Sequence, residues 1–339
     1  MRLKLLPYVL ALALCTTSVL AAPQVRYRIT PITAPPGSQL TATGLNNRGE
    51  VVGSWSGEVG QHGFYWRDGR LVDLNDQVYP NAGYVEASGI NDRSQIVGIY
   101  SDAVVEGFHA FVLERGRMRD VEGPPGAQHV FASFINDRGQ ILGASYDQDG
   151  NYSSFLNDHG TVEVFDPFFD PADINASGTV SGSYYLDGSR AAIWKDGVIT
   201  PIGPLFSQGR RLNDRGQVTG AMNNNIAARA FVWERGRLTQ LPALRADQTY
   251  SWALDINNAG RIVGTTVING PTGTVSIATV WDNGQVADLN ALIHPHDPLR
   301  AFVTFTSAGP INDRGEIVAQ GMDSRIGSLD IFFLEPVQH

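Results

Sequence analysis

The chain has 339 residues, 42% of them hydrophobic, with 37 glycines, one cysteine and a formal net charge of −9. That acidic balance argues against a nucleic-acid partner and against adhesion to anionic lipid by charge alone. The length suits one globular domain, and no stretch beyond residue 22 approaches the roughly 18–20 apolar residues that span a bilayer.

The first predicted element is a secretory signal, Met1 to Ala21. Arg2 and Lys4 give its positive start, Leu5 to Leu14 its apolar middle, and Val19-Leu20-Ala21 a small-residue cleavage site. Residues 22–339 then form a single exported domain, periplasmic or secreted. Cys15 falls within the signal, after a bulky Leu14 where a lipid-anchor site calls for a small residue, so the mature chain has no thiol chemistry.

After a short strand at Tyr27 to Ile32, one unit recurs seven times, anchored on Asn46, Asn91, Asn136, Asn175, Asn213, Asn257 and Asn312. The unit reads most clearly in Arg211 to Leu241. A strand ends at Leu212, and Asn213 to Gly216 make a type I turn closed by a left-handed glycine. Gln217 to Gly220 form a second strand, Ala230 to Trp233 a third and Arg237 to Leu241 a fourth. Four strands in a repeat of this length predict an all-β fold, a seven-bladed β-propeller of four-stranded blades, with the strand before each turn asparagine innermost beside a narrow channel. The seventh copy stops at its third strand, Ile331 to Leu334, and Ile29 to Ile32 matches the fourth strand Ile199 to Ile202 letter for letter. The N-terminal strand is therefore expected to complete the last blade and close the ring.

Two positions depart from the repeat. Ser94 stands where the other copies have the turn glycine, so Ser94→Gly is expected to relieve backbone strain and raise the melting temperature. Ala319 stands where the others end the second strand in glycine.

With its Ile-Asn-Asp-Arg-Gly turns at 135–139 and 311–315, the glycine-ended second strands and His109-Ala110-Phe111 opening a third strand, the chain resembles the HAF family of extracellular repeat proteins. The resemblance covers about residues 25 to 335. It implies a bacterial exported repeat protein, and brings no agreed activity and no catalytic residues to carry over.

Candidate chemistry competes with ordinary structure at each point. The turn carboxylates Asp92, Asp137, Asp214 and Asp313 could ring a cation, but Asx side chains at these offsets bond their own turn backbone. Aromatic third strands such as Phe64-Tyr65-Trp66 could stack sugars, but their fixed phase points to core. Binding candidates fall in the variable loops: Asn75, Asp76 and Tyr79; Asp147 and Asp149; Arg245, Asp247 and Trp252; and His294, His296 and Asp297. The 147–151 loop lacks the ligand spacing of an EF-hand for calcium. Proline breaks the regularity of the His294–Asp297 group as a transition-metal site or general base, so no cofactor is expected.

No nucleophile elbow, zinc-protease, Walker or dinucleotide-binding motif occurs. The sequence therefore points to a monomeric, noncatalytic binding or interaction module for an extracellular protein or glycan, using its variable-loop face. The alternative is an extracytoplasmic hydrolase or lyase acting on polysaccharide or another polymer at the axial mouth. A purely structural envelope protein is the third reading.

Overall fold

The computed structural model describes residues 25–57, 60–79, 83–101, 107–223, 227–270 and 273–337. The expected signal segment lies outside them. After β1 (Arg26–Ile32) the chain forms successive antiparallel groups. The first is β2 (Gln39–Leu45), β3 (Val51–Gly57), β4 (Gly60–Arg67) and β5 (Arg70–Asp73), followed by a single helical turn, α1 (Asn75–Val78). The second is β6 (Tyr84–Ile90), β7 (Ile96–Ser101), β8 (His109–Glu114) and β9 (Arg117–Asp120). A lone parallel bridge, Gln61 to Tyr84, joins these two groups.

The third group is β10 (Ala127–Ile135), β11 (Ile141–Asp147), β12 (Tyr152–Asp158) and β13 (Thr161–Val164). The fourth is β14 (Phe169–Ile174), β15 (Val180–Tyr184), β16 (Arg190–Lys195) and β17 (Val198–Pro201). The fifth is β18 (Ser207–Leu212), β19 (Val218–Asn223), β20 (Ala228–Glu234) and β21 (Arg237–Gln240). The sixth is β22 (Gln248–Ile256), β23 (Ile262–Gly270), β24 (Gly273–Asp282) and β25 (Gln285–Asp288). Last come β26 (Val303–Ile311), β27 (Ile317–Asp323) and β28 (Ser328–Val337), and here the outer strand is β1, paired with β28 from Arg26↔Val337 to Ile32↔Ile331.

The third strands supply the core, as their apolar runs predict. Phe64, Phe111, Phe155, Phe231 and Phe332 are all essentially without solvent exposure. Each of the first four lies across from a second-strand glycine: Gly53, Gly98, Gly143 and Gly220. These glycines sit within their strands, and their role is to leave room. A Cβ on Gly53, Gly98 or Gly220 would come within 2.0 Å or less of an inner-strand carbonyl oxygen and within 2.9 Å of the phenylalanine ring. In the last group Ala319 takes this position, paired with Ala308 on β26 and Phe332 on β28.

Each first strand is bulged near its end, with register shifts at Ala42/Gly44, Ala87/Gly89, Ala132/Phe134, Pro171/Asp173, Gly209/Leu212, Ala253/Asp255 and Ala308/Ile311. A bulge disrupts the ladder and re-aims side chains, and these residues converge on one cavity described below.

The turn asparagines join neighbouring groups. In six of the seven turns the Oδ1 accepts two backbone N–H bonds, as Asn213 does from Arg215 and Gln217, and in the other Asn257 accepts that of Arg261; in every turn Nδ2 donates to the carbonyl oxygen of the next turn's asparagine. The series runs Asn46 to Asn91, Asn136, Asn175, Asn213, Asn257 and Asn312, whose Nδ2 donates back to the Asn46 carbonyl at 2.9 Å. The residues that follow them also differ from the sequence expectation. Asp92, Asp137, Asp214 and Asp313 do not cap their own turns; each accepts the backbone N–H of the preceding group's turn, as Asp92 does from Asn47 at 2.7 Å.

Ser94 has φ +58, the left-handed value predicted, but its hydroxyl also donates to buried Glu50 at 2.6 Å. Burial pushes the Glu50 carboxyl up, yet donors from Ser94, Asn46 and Tyr65 more than offset it and leave its pKa below the usual range. Its stabilisation is therefore present above the ordinary glutamate range and is lost as pH falls through the lowered value. The expected gain from Ser94→Gly is thus offset. Relief of about 1 kcal/mol of strain is set against loss of a bond to a charged group worth roughly 1.5–3 kcal/mol. Thermal melts at pH 7 should place Ser94→Gly at or below the wild type and Ser94→Ala, which keeps the strain and loses the bond, clearly lower. A Ser94→Ala melt equal to the wild type would show that the hydroxyl contributes nothing.

Candidate functional site

The sequence candidates do not converge. The Asn75 carboxamide is turned inward, accepting from Gly63 N–H and donating to the Gln61 carbonyl, which fixes the start of α1. Tyr79 stacks on Tyr100 at 5.3 Å, and the Asp76 side chain lies outside the described residues. Asp147 closes its own turn by accepting Asp149 N–H, Asn151 N–H and the Asn151 amide, while Asp149 is exposed. Donation from Asn151 holds the Asp147 carboxyl below its ordinary range. Arg245 and Asp247 form an exposed bidentate pair at 3.0 Å. His294 Nδ1 accepts His296 N–H, and Asp297 accepts Ile29 N–H and Leu299 N–H, so this loop pins β1 in place. Among the described residues no group of three or more His, Cys, Asp or Glu side chains is placed to hold a metal ion. Trp252 alone of the set lies on a first strand, stacked nearly parallel on Tyr250 at 5.6 Å.

The convergence that exists is between the first strands. The seven turns surround a cavity of about 190 Å³ lined by the turn residues and by the aliphatic residue before each asparagine, Leu45, Ile90, Ile135, Ile174, Leu212, Ile256 and Ile311. The bulges line a second cavity of about 570 Å³, to which all seven groups contribute. Its walls carry Thr43, Glu86, Ser88, Ser133, Arg210, Arg211 and Asp255 beside small and apolar residues. A hollow of about 690 Å³ lies against the β1–β2 connection, but of its charged groups Asp323 and Arg325 pair with each other and Asp330 accepts the Ser328 hydroxyl.

Two positions before the turn asparagine, three consecutive groups present Asp173, Arg211 and Asp255. Arg211 lies 3.8 Å from the Asp173 carboxylate and over the Phe134 ring at 4.5 Å. Asp173 also accepts the backbone N–H groups of Ile174 and Leu212, and Asp255 those of Ile256 and Ile311. Burial pushes the Asp173 carboxyl up to about 6 against the opposing pull of Arg211, and burial raises Asp255 as well. A cation beside two buried carboxylates with raised pKa values marks the place as a candidate site for acid–base chemistry. Sequence reasoning missed it because it weighed loops by residue type. The available signal was the shared offset of the three charges from the turn asparagine, where other copies have Gly44, Gly89, Phe134 and Pro310.

No family model matches the chain, and no curated protein does. Among solved structures it is similar to the β-propeller domain of the Trilobed protease from Pyrococcus furiosus, at 8% identity over 89% of this chain and 98% of that domain, with a TM-score of 0.59. The fold is a β-propeller. The chain is also similar to a puromycin-hydrolyzing peptidase of Mycobacterium tuberculosis, at 11% identity over 94% of this chain, with a TM-score of 0.57. A third likeness is to prolyl endopeptidase, at 8% identity over 93% of this chain, with a TM-score of 0.55. The propeller spans 56% and 51% of those two peptidases. The P. furiosus domain is described as having an open velcro topology, whereas here the first strand of the propeller pairs with the last. The expectation of a noncatalytic binding module is corrected by these likenesses, since the matched propellers are parts of peptidases.

Proposed function

We propose that this chain is an exported, HAF-type propeller of hydrolase class, a ring of seven four-stranded blades closed by β1, acting on a polymer held in its axial cavity. The closed ring is supported by the pairing of β1 with β28 and by the asparagine circuit that returns to Asn46. The hydrolase reading is carried by Asp173, at the wall of the turn-side cavity, and by its ion-pair partner Arg211 with Asp255, at the wall of the larger one.

In this reading Asp173 is the general acid. Its raised pKa lets it keep a proton at pH values where an ordinary aspartate is ionised, and general acid–base catalysis contributes roughly 10²–10⁴-fold. Asp255 is the second carboxylate, and Arg211 holds the pair apart and offsets charge on the substrate. The test is hydrolysis of a panel of polysaccharides and peptides by the purified full chain. Asp173→Asn should lower the rate at least 100-fold, and the wild-type rate should fall as pH rises through about 6. An undiminished rate in Asp173→Asn would overturn the assignment.

A stability signature accompanies it. Folded Asp173 keeps its proton to about pH 6, whereas the unfolded residue loses it near 3.8, so the folded state binds more protons in that window. Wild-type stability should therefore fall as pH rises across it, by up to about 3 kcal/mol from this group. Asp173→Asn should lack that fall. Denaturation at pH 4 and pH 7 measures it, and a constant difference between the two proteins would place the Asp173 pKa at its ordinary value.

A further inference from the structure

Three cavity-lining groups have no bonding partner for their side chains among the described residues: the Ser88 and Ser133 hydroxyls and the Arg210 guanidinium. Arg211, by contrast, is engaged by Asp173 and Phe134. Along β6, Tyr84, Glu86 and Ser88 share the half-exposed side of the strand while Val85 and Ala87 are buried. The Tyr84 hydroxyl donates to Glu86, which ties the cavity wall to a run of rings: Tyr84 on Phe108 at 5.4 Å, Phe108 on Phe131 at 5.6 Å, Phe131 on Tyr146 at 6.0 Å and Tyr146 on Tyr152 at 5.5 Å. Tyr146 and Tyr152 are exposed at the outer end, 39% and 48%.

We infer that the cavity and this aromatic run together hold an acidic polysaccharide, with sugar rings laid on the aromatic side chains and an acidic group bound by Arg210. The inference rests on the hydrolase reading for its site and names the substrate class. Aromatic faces offer broad apolar contact to ring-shaped ligands, the unbonded hydroxyls match a polyhydroxylated one, and a guanidinium fork suits a carboxylate. A peptide strand would instead need an uninterrupted row of backbone N–H and C=O groups. Every first strand is bulged where it lines the cavity, which breaks that row. In a chain of net charge −9, a free arginine in the channel is also what lets a polyanion approach.

The experiment is calorimetric titration of the full chain carrying Asp173→Asn, to prevent turnover, with an oligogalacturonate, a neutral oligosaccharide of equal length and an oligoglutamate. The oligogalacturonate should bind at least ten-fold more tightly than the neutral sugar, and more weakly as salt is added. Arg210→Gln should remove that preference and Arg210→Lys restore part of it. Tyr152→Ala should weaken both sugars alike. Equal binding of the acidic and neutral sugars, or tighter binding of oligoglutamate, would overturn the inference. Cleavage is read separately with the wild-type chain: oligogalacturonate bound but not cleaved would retain this inference and count against the hydrolase, whereas cleavage of a peptide without uronate binding would do the reverse.

Discussion

Gly98→Ala should destabilise the protein by about 3 kcal/mol or more, an overpacking cost at the upper end of the usual range. The added methyl would stand 1.9 Å from the Glu86 carbonyl oxygen and 2.9 Å from two carbons of the fully buried Phe111 ring. Neither neighbour can yield cheaply: the carbonyl belongs to the strand that lines the cavity, and the ring fills the core of its sheet. Gly216→Ala is the matched control. It has φ +76 with nothing within 4 Å of the new methyl, so only the left-handed strain of roughly 1 kcal/mol should appear. Chemical denaturation of the two variants tests the difference, and equal losses would show that Gly98 is conserving backbone freedom and not space.

Asn213→Ala is expected to cost about 2–3 kcal/mol, because it removes four hydrogen bonds of a buried side chain at once and leaves the buried Asn257 carbonyl without this donor. The side chain accepts from Arg215 N–H and Gln217 N–H, and donates to the Gln217 side chain and to the Asn257 carbonyl in the next blade. Asn213→Asp should fail almost as badly, since it replaces an amine between two acceptor oxygens with a third acceptor. Amide exchange should quicken at Arg215 and Gln217 in both variants. Loss of stability without that local signature would mean that the asparagine acts through something other than its turn.

These two positions also show what the sequence made legible. Asn213 and Gly216 recur because a turn of this geometry fixes local residue types, so the strand order and the pairing of β1 with β28 could be read from spacing and from the repeated Ile-Thr-Pro-Ile. Gly98 was visible but misread as a strand end, because its reason lies in a carbonyl and a ring that approach from two other strands. The bulges left no residue signature, since they are a mismatch of register between strands and not a property of either. The loop candidates failed for a related reason. Asp147 and Asp297 hold backbone N–H groups close at hand, as Asp173 and Asp255 also do, but unlike Asp173 they form no ion pair among the described residues. Asp173, Arg211 and Asp255 come from three successive sheets, and their meeting depends on how those sheets pack.

The pairing of β1 with β28 also sets an order of events. Ile32 lies against Ile331, so the part of the propeller that leaves the ribosome first must wait for nearly the last before it has a partner. Until then β1 is an unattached strand with an apolar side, and the outer edge of β28 does not yet exist. Contacts this distant along the chain are slow to form, so the pairing of the two ends is expected to come late in folding, after the intervening sheets have their own partners.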